Sequence, residues 1–239
     1  MEPRSFGPSR TYLHVFFDLD RTLWDFERNR RSTLEQMFYE RRLASIFATF
    51  DSFAECYCRH NERLWRYYSR HEISKEVLRY KRFYAALREF GADNSALAST
   101  LDADYMRLLP QHNALVDGAR ELLGYLSERG YHLHVLTNGL SEVQSLKLER
   151  AGVREFFRWV VTPELSGHHK PDARAFGFAL ARANATKAQS LMVGDSWADD
   201  VEGAMRFGID QIYYNPSGHT PPRRPTHEVA QLTQICGLL

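Results

Sequence analysis

The chain has 239 residues, of which 44% are apolar and 26% charged, with a formal net charge of +1. Such a chain builds a sizeable core and has no charge excess to draw it to nucleic acid or an anionic membrane. Its three cysteines, Cys56, Cys58 and Cys236, exclude a disulfide framework, and the CxC at 56–58 has no second Cys or His pair at zinc spacing, so ordinary thiols are expected.

The first ten residues lack the apolar centre of a signal peptide, and no run approaches membrane-spanning length, so the expected home is the reducing cytoplasm. Val15, Phe16 and Phe17 then read as a buried strand, and Asp18, Asp20 and Thr22 follow at two-residue steps. That spacing at a strand end points Asp18 and Asp20 to one side. Residues 26–110 are rich in Arg, aromatics and helix formers, with almost no β-run. Phe53, Tyr57, His60, Leu64 and Tyr67 recur there at three- and four-residue steps, as one face of a helix. The arginines of this stretch, at 59, 63, 66, 70, 79 and 82, read mainly as a solvated face.

From about residue 113 strands and helices alternate. Residues 117–129 read as a helix stopped by Gly130, and 131–139 (YHLHVLTNG) as a strand ending in a polar turn. Residues 141–152 form a second helix with Ser141 as its N-cap, followed by a strand at 156–162 and a helix at 172–184. A strand at 189–195, a helix at 198–208, a strand at 210–215, a short strand near 228–232 and a helical stub complete the chain. Such alternation predicts parallel βαβ units. The expected fold is α/β: a doubly wound parallel sheet, Rossmann-like, formed by 11–25 and 111–239, with an all-helical domain inserted over 26–110.

Ligands of open α/β sheets gather at the carboxyl ends of the strands. Four polar clusters fall there or just before a helix: Asp18 to Thr22, Thr137-Asn138-Gly139, His168-His169-Lys170-Pro171, and Gly194-Asp195-Ser196 with Asp199-Asp200. Carboxylates converging without Cys or a strand-end His favour Mg²⁺ over zinc, with side-chain oxygens from Asp18 and Asp195 and a main-chain carbonyl near Asp20. Thr137 offers a hydroxyl, Asn138 an amide, and Gly139 a close approach of backbone N–H groups to an anion. Lys170 adds a fixed positive charge, pointed because the chain has five lysines against twenty-six arginines. These parts suit phosphoryl transfer, in which one carboxylate attacks phosphorus and a second acid two residues on handles the proton. His168-His169 reads as a polar loop, with no carboxylate partner at helical spacing. Trp24 either stacks on a base or sugar or packs as a hinge aromatic.

The set DLDRT, TNG, KPD and GDSWADD, in that order, resembles the four motifs of the haloacid dehalogenase-like hydrolase superfamily. The resemblance implies a helical cap domain over 26–110, Asp18 as nucleophile and Asp20 as general acid/base. It implies phosphate binding by Thr137, Asn138 and Lys170, and Mg²⁺ on Asp18, Asp20 and Asp195 with Asp200 or Asp199 as supporting acid. FFDLDRTLWDF, ISKEVLRYKRF and IYYNPSG are similar to the pyrimidine 5′-nucleotidases of that superfamily, which implies nucleoside monophosphates as substrates. The acid at Asp20 favours phosphatase over dehalogenase chemistry, and neither Lys75 nor Lys81 suits a Schiff base. A phosphatase for a small sugar phosphate or phosphoglycolate, a phosphomutase and a non-catalytic phosphate-binding protein are the alternatives. The expected partner is a small phosphate monoester, without nucleic-acid polymer or membrane, met by a monomer or homodimer.

Overall fold

The computed structural model describes residues 12–239; the reading of the first ten residues lies outside it. The chain forms two units, one taking it up to Asp25 and again over Leu115–Leu239, the other being Phe26–Ala114. The second crossing thus comes later than residue 110. No helix among the described residues is long and apolar enough to cross a membrane.

The α/β unit is organised around β1 (His14–Phe17), whose four residues are all buried. A continuous buried run, without polar alternation, fits a strand covered on both faces. After β1 the chain leaves for the helical unit: α1 (Phe26–Glu40), α2 (Ala44–Phe47), α3 (Phe50–Ser69), α4 (Lys75–Glu89) and α5 (Ser95–Leu108). It returns through α6 (Ala119–Glu128), β2 (His132–Leu136), α7 (Ser141–Arg150), β3 (Phe157–Val161), α8 (Pro163–Ser166) and α9 (Ala173–Ala183). Then come β4 (Ser190–Gly194), α10 (Glu202–Phe207), β5 (Asp210–Tyr214) and β6 (His227–Val229).

The six strands form one parallel sheet in the order β3-β2-β1-β4-β5-β6, flanked by helices. The chain winds outward from β1 to β3, then returns to lay β4 on the other side of β1; open α/β sheets bind ligands at such a reversal. Register decides what meets there. Phe17 lies opposite Val135 of β2 and Val193 of β4, so the residues just past these strands reach one edge together. Beneath that edge Phe16, Leu136, Val161 and Met192 pack against Phe176, Ala179 and Leu180 of α9 and Ala204 of α10.

In the helical unit, Thr49, Ser74 and Asn94 cap α3, α4 and α5 by accepting the backbone N–H of Ser52, Val77 and Leu97. The core is aromatic, with Phe53, Tyr57, Phe83 and Tyr105 in successive ring contact. The stripe on α3 differs from the sequence reading. Phe53, Tyr57 and Leu64 are buried, but Asn61 is the buried polar member and Tyr67 is 40% exposed. A 3.6-residue period carries the stripe from 57 through 61 to 64 and turns position 67 outward. The arginine face is corrected too: Arg82 is only 3% exposed, pairs with Asp102 at 2.8 Å and lies over the Tyr105 ring at 4.6 Å. Arg79 reaches the same carboxylate at 2.9 Å.

Breaking a buried ion pair from one side leaves an uncompensated charge. Arg82→Met, which leaves Asp102 with Arg79 alone, is expected to lower stability by about 3 kcal/mol, read as an earlier midpoint of urea unfolding. An unchanged midpoint would show that the pair adds nothing to this core.

Candidate active site

Asp18 continues β1 by one residue, its backbone N–H reaching Val193 O of β4 at 2.9 Å. Its side chain is buried, and Oδ1 accepts Lys170 Nζ at 2.6 Å. The same ammonium donates to Asp200 Oδ1, also at 2.6 Å. Lys170 is held there by its main chain: its N–H donates to Asn138 Oδ1 at 2.8 Å, and Asn138 Nδ2 donates to its carbonyl at 3.0 Å. Asn138 thus uses both ends of its amide on Lys170, a contact the sequence reading did not foresee, and keeps its second Nδ2 hydrogen for a ligand. Just beyond, Asp172 caps α9 by accepting Arg174 N–H at 2.9 Å, and it also lies 4.0 Å from His168 Nδ1, a carboxylate partner the sequence reading did not assign.

Asp199 and Asp200 separate cleanly. Between β4 and α10 the turn over Trp197–Val201 is wider than an α-helix, and Val201 N–H reaches Ser196 O five residues back at 3.2 Å. That winding turns Asp200 inward, where its Oδ2 accepts Ser196 N–H at 3.0 Å, while the Ser196 hydroxyl accepts Asp199 N–H at 3.2 Å. Asp200 joins Lys170 and Asp199 does not. Gly194 makes room for this, since a Cβ there would sit 2.2 Å from Asp200 Oδ2. The single helix expected over 198–208 and the Ser141 cap are both modified. Leu140 takes the cap position of α7, and the Ser141 hydroxyl turns to Thr162 and Glu164.

Asp195 stands at the end of β4. Thr22 anchors it twice, donating its hydroxyl to Oδ1 at 2.9 Å and accepting the Asp195 N–H at 3.0 Å. The turn that brings Thr22 back places Arg21 at φ 69°, in the left-handed region that non-glycine residues seldom adopt. Oxygens of Asp18, Asp195 and Asp200 then lie within 4.8 Å of one another. All three carboxyls are pushed above their ordinary range, first by burial and then by repulsion from a neighbouring carboxylate. Burial works against the Lys170 charge, but Asp18 and Asp200 outweigh it and hold the ammonium above its usual range. One lysine faces three acids. An all-oxygen set with surplus negative charge fits a hard divalent cation such as Mg²⁺.

The Asp20 carboxylate stays outside that cluster. Lys147 Nζ donates to its Oδ1 at 2.5 Å and Gln144 Nε2 to its Oδ2 at 3.0 Å, one bond to each oxygen. Gln144 Nε2 also donates to Thr137 Oγ1 at 2.7 Å, which accepts Gly139 N–H at 3.1 Å besides. With two bonds accepted, the Thr137 hydroxyl hydrogen is left to point at an anion. Neither Gln144 nor Lys147 was a sequence candidate. The signal was there: both lie on the buried stripe of α7 with Val143 and Leu148, and Lys147 is one of the five lysines. Trp24 is fully buried with the Lys147 ammonium 4.3 Å from its ring centre, so its face meets a cation and not a base. In the helical unit Cys56, His60 and Glu89 also converge. There Glu89 is engaged by Arg59 and His60, and a second guanidinium, Arg63, sits 3.0 Å from His60 Nδ1, a setting that disfavours a cation.

This geometry has a family. The model of the haloacid dehalogenase-like hydrolases matches residues 12–208. The chain belongs to that family. It is 34% identical over 222 residues to the pyrimidine 5′-nucleotidase PynA of Streptococcus pneumoniae, covering 91% of each chain. It is 31% identical to a ribulose-1,5-bisphosphate 5-phosphatase of Halopiger xanaduensis, over 85% of this chain and 84% of that one. The crystal structure of the HAD-hydrolase YfnB of Bacillus subtilis, bound to magnesium, superposes with a TM-score of 0.85 at 26% identity, covering 95% of this chain and 98% of that one. The protein is thus an enzyme of the hydrolase class, and a phosphoric monoester hydrolase accords with its relatives.

Asn138 supplies a test of how the site is held. Asn138→Ala frees the main chain of Lys170, and misplacing a reacting group by about 1 Å can cost roughly 100-fold. Turnover of an aryl phosphate should fall by about that factor in a folded variant. Wild-type turnover would show that Lys170 is fixed by other contacts.

Proposed function

We propose that the protein is a Mg²⁺-dependent phosphatase that works through an aspartyl phosphate on Asp18 and takes pyrimidine nucleoside 5′-monophosphates as substrates. The observation that carries the reading is the pairing of a single Asp18 oxygen with Lys170. Oδ1 is engaged by the ammonium at 2.6 Å, which leaves Oδ2 to attack.

In the first half-reaction Asp18 Oδ2 forms a bond to phosphorus as the bond to the leaving oxygen breaks, and Asp20 gives that oxygen a proton. Lys170 keeps Asp18 in line and balances charge on the phosphoryl group, while the Thr137 hydroxyl donates to a phosphoryl oxygen. In the second half-reaction Asp20 takes a proton from water, whose oxygen attacks phosphorus. Inorganic phosphate leaves and the Asp18 carboxylate is restored. Asp18 and Asp195, with Asp200 beside them, would hold Mg²⁺, which would supply positive charge against the phosphoryl oxygens. The nucleotide preference is supported by the likeness to PynA and by the segments FFDLDRTLWDF, ISKEVLRYKRF and IYYNPSG.

The test is phosphate release from a panel of monophosphates with purified protein. Release is expected to need Mg²⁺, to stop on chelation and to favour dUMP, dTMP or UMP; Asp18→Asn should abolish it without disturbing the circular dichroism spectrum. Indifference to chelator, or full activity in Asp18→Asn, would sink the mechanism. A preference for phosphoglycolate or sugar phosphates would reject the nucleotide substrate and keep the phosphatase.

A further inference from the structure

The buried face of α7 is unusual in its make-up. Packing a helix onto a sheet ordinarily calls for an apolar stripe. Here Gln144 and Lys147 occupy it, the glutamine fully buried and the lysine side chain only 2% exposed. Burying an ammonium and an amide without need is costly, so both should answer to a requirement nearby. The need on the page is Asp20. One carboxylate oxygen is taken by Lys147 at 2.5 Å and the other by Gln144 at 3.0 Å, which fixes the plane of the group. The second amide hydrogen of Gln144 goes to Thr137 at 2.7 Å, so the proton-transfer group and the phosphate-facing hydroxyl share one tether.

Three further observations fit an arrangement built for this tether. A Cβ at Gly139 would lie 2.2 Å from Gln144 Nε2, so the glycine of the TNG turn is what admits the amide. The Gln144 Oε1 is buried with no hydrogen-bond partner, a penalty that a purely structural position would shed by taking Leu or Met. Lys147 is braced from behind by Trp24, with Nζ 4.3 Å from the ring centre. The tryptophan that follows the first motif thus steadies a lysine on the helix that follows the second.

We infer that α7 aims the proton-transfer carboxylate, with Lys147 and Gln144 as positioning residues that hold Asp20 against the leaving oxygen. Neither touches the reacting atoms; Lys147 acts through Asp20, and Gln144 through Asp20 and Thr137. The inference rests on the reading of Asp20 as the proton donor. In the step concerned, the Asp20 carboxyl O–H passes its proton to the oxygen leaving phosphorus as the Asp18 oxygen–phosphorus bond forms. A misaimed Asp20 slows that step only when the leaving group needs the proton.

Leaving-group dependence therefore separates aiming from general support. Phenolates with electron-withdrawing substituents depart unassisted, whereas the alkoxide of a nucleoside 5′-monophosphate requires a proton. Lys147→Met, close in length and uncharged, is compared with wild type and with Asp20→Asn by kcat/KM on a nitrophenyl phosphate and on UMP. General acid catalysis contributes roughly 100-fold or more, so Lys147→Met should lose about that factor on UMP and less than about tenfold on the aryl ester. Asp20→Asn should show the same selectivity. Gln144→Met, which keeps Lys147 but also frees Thr137, should add a loss common to both esters to a smaller excess loss on UMP, and that excess carries the test if Lys147→Met does not fold. Equal losses on both esters in folded Lys147→Met or Gln144→Met, with Asp20→Asn selective, would overturn the inference and leave the phosphatase reading standing. Absence of selectivity in Asp20→Asn itself would overturn the proton-donor reading, and the inference with it.

Discussion

Everything at the candidate site depends on one buried ammonium. Lys170 sits between Asp18 and Asp200 at 2.6 Å from each. Removing the lysine would strand two carboxylates in a place with little water, where breaking a buried pair costs about 3–5 kcal/mol. Position follows from this. Asp18 belongs to β1, Asp200 to the wide turn after β4 and Lys170 to the loop before α9, so a single charge fixes three segments remote in sequence. Asn138, at the end of β2, completes the arrangement by gripping the Lys170 main chain from both sides. The site is therefore in place before substrate arrives, which is what stabilising a developing charge requires.

The same ammonium leaves the site short of positive charge. Burial first, and then the crowding of three carboxylates, makes the carboxyls hold their protons more tightly than usual, although Lys170 pulls the other way. In the proposed reading a divalent cation held by these carboxylates would relieve the crowding, and with Lys170 it would balance the charge of an anionic substrate. Asp20 is kept out of this contest by α7. On the proposed reading, the separation of a trio of carboxylates from a tethered Asp20 would let neighbouring acids of one kind take different roles.

Much of this was legible in the sequence, and the reasons differ residue by residue. Asp18, Thr137 and Asp195 could be read because strand ends of a doubly wound sheet share one edge, and the register of β1 against β2 and β4 delivers them there. Lys170 stood out through the scarcity of lysine. Asp199 against Asp200 could not be resolved, because the choice depends on a turn wound one residue wider than an α-helix, and no local pattern announces that winding. Asn138 was placed at the site, but its grip on the Lys170 main chain was not foreseen, since an amide at a strand end looks the same whether it faces a ligand or a neighbouring backbone. Lys147 and Gln144 were missed because α7 was read for its periodicity and not for which residue types fill its stripe. In the helical unit the arginine-rich composition hid Arg82, whose burial depends on Asp102 twenty positions along the chain.

The central claim is that Asp18 becomes phosphorylated during turnover. The direct measurement is to quench the enzyme in acid while it is turning over substrate, reduce with borohydride and map the peptides by mass spectrometry. An acyl phosphate is reduced to an alcohol, so the account predicts homoserine at position 18 and at no other carboxylate, only when substrate and Mg²⁺ are both present. Phosphate release without reduction at position 18, or reduction at Asp20, Asp195 or Asp200 instead, would contradict it.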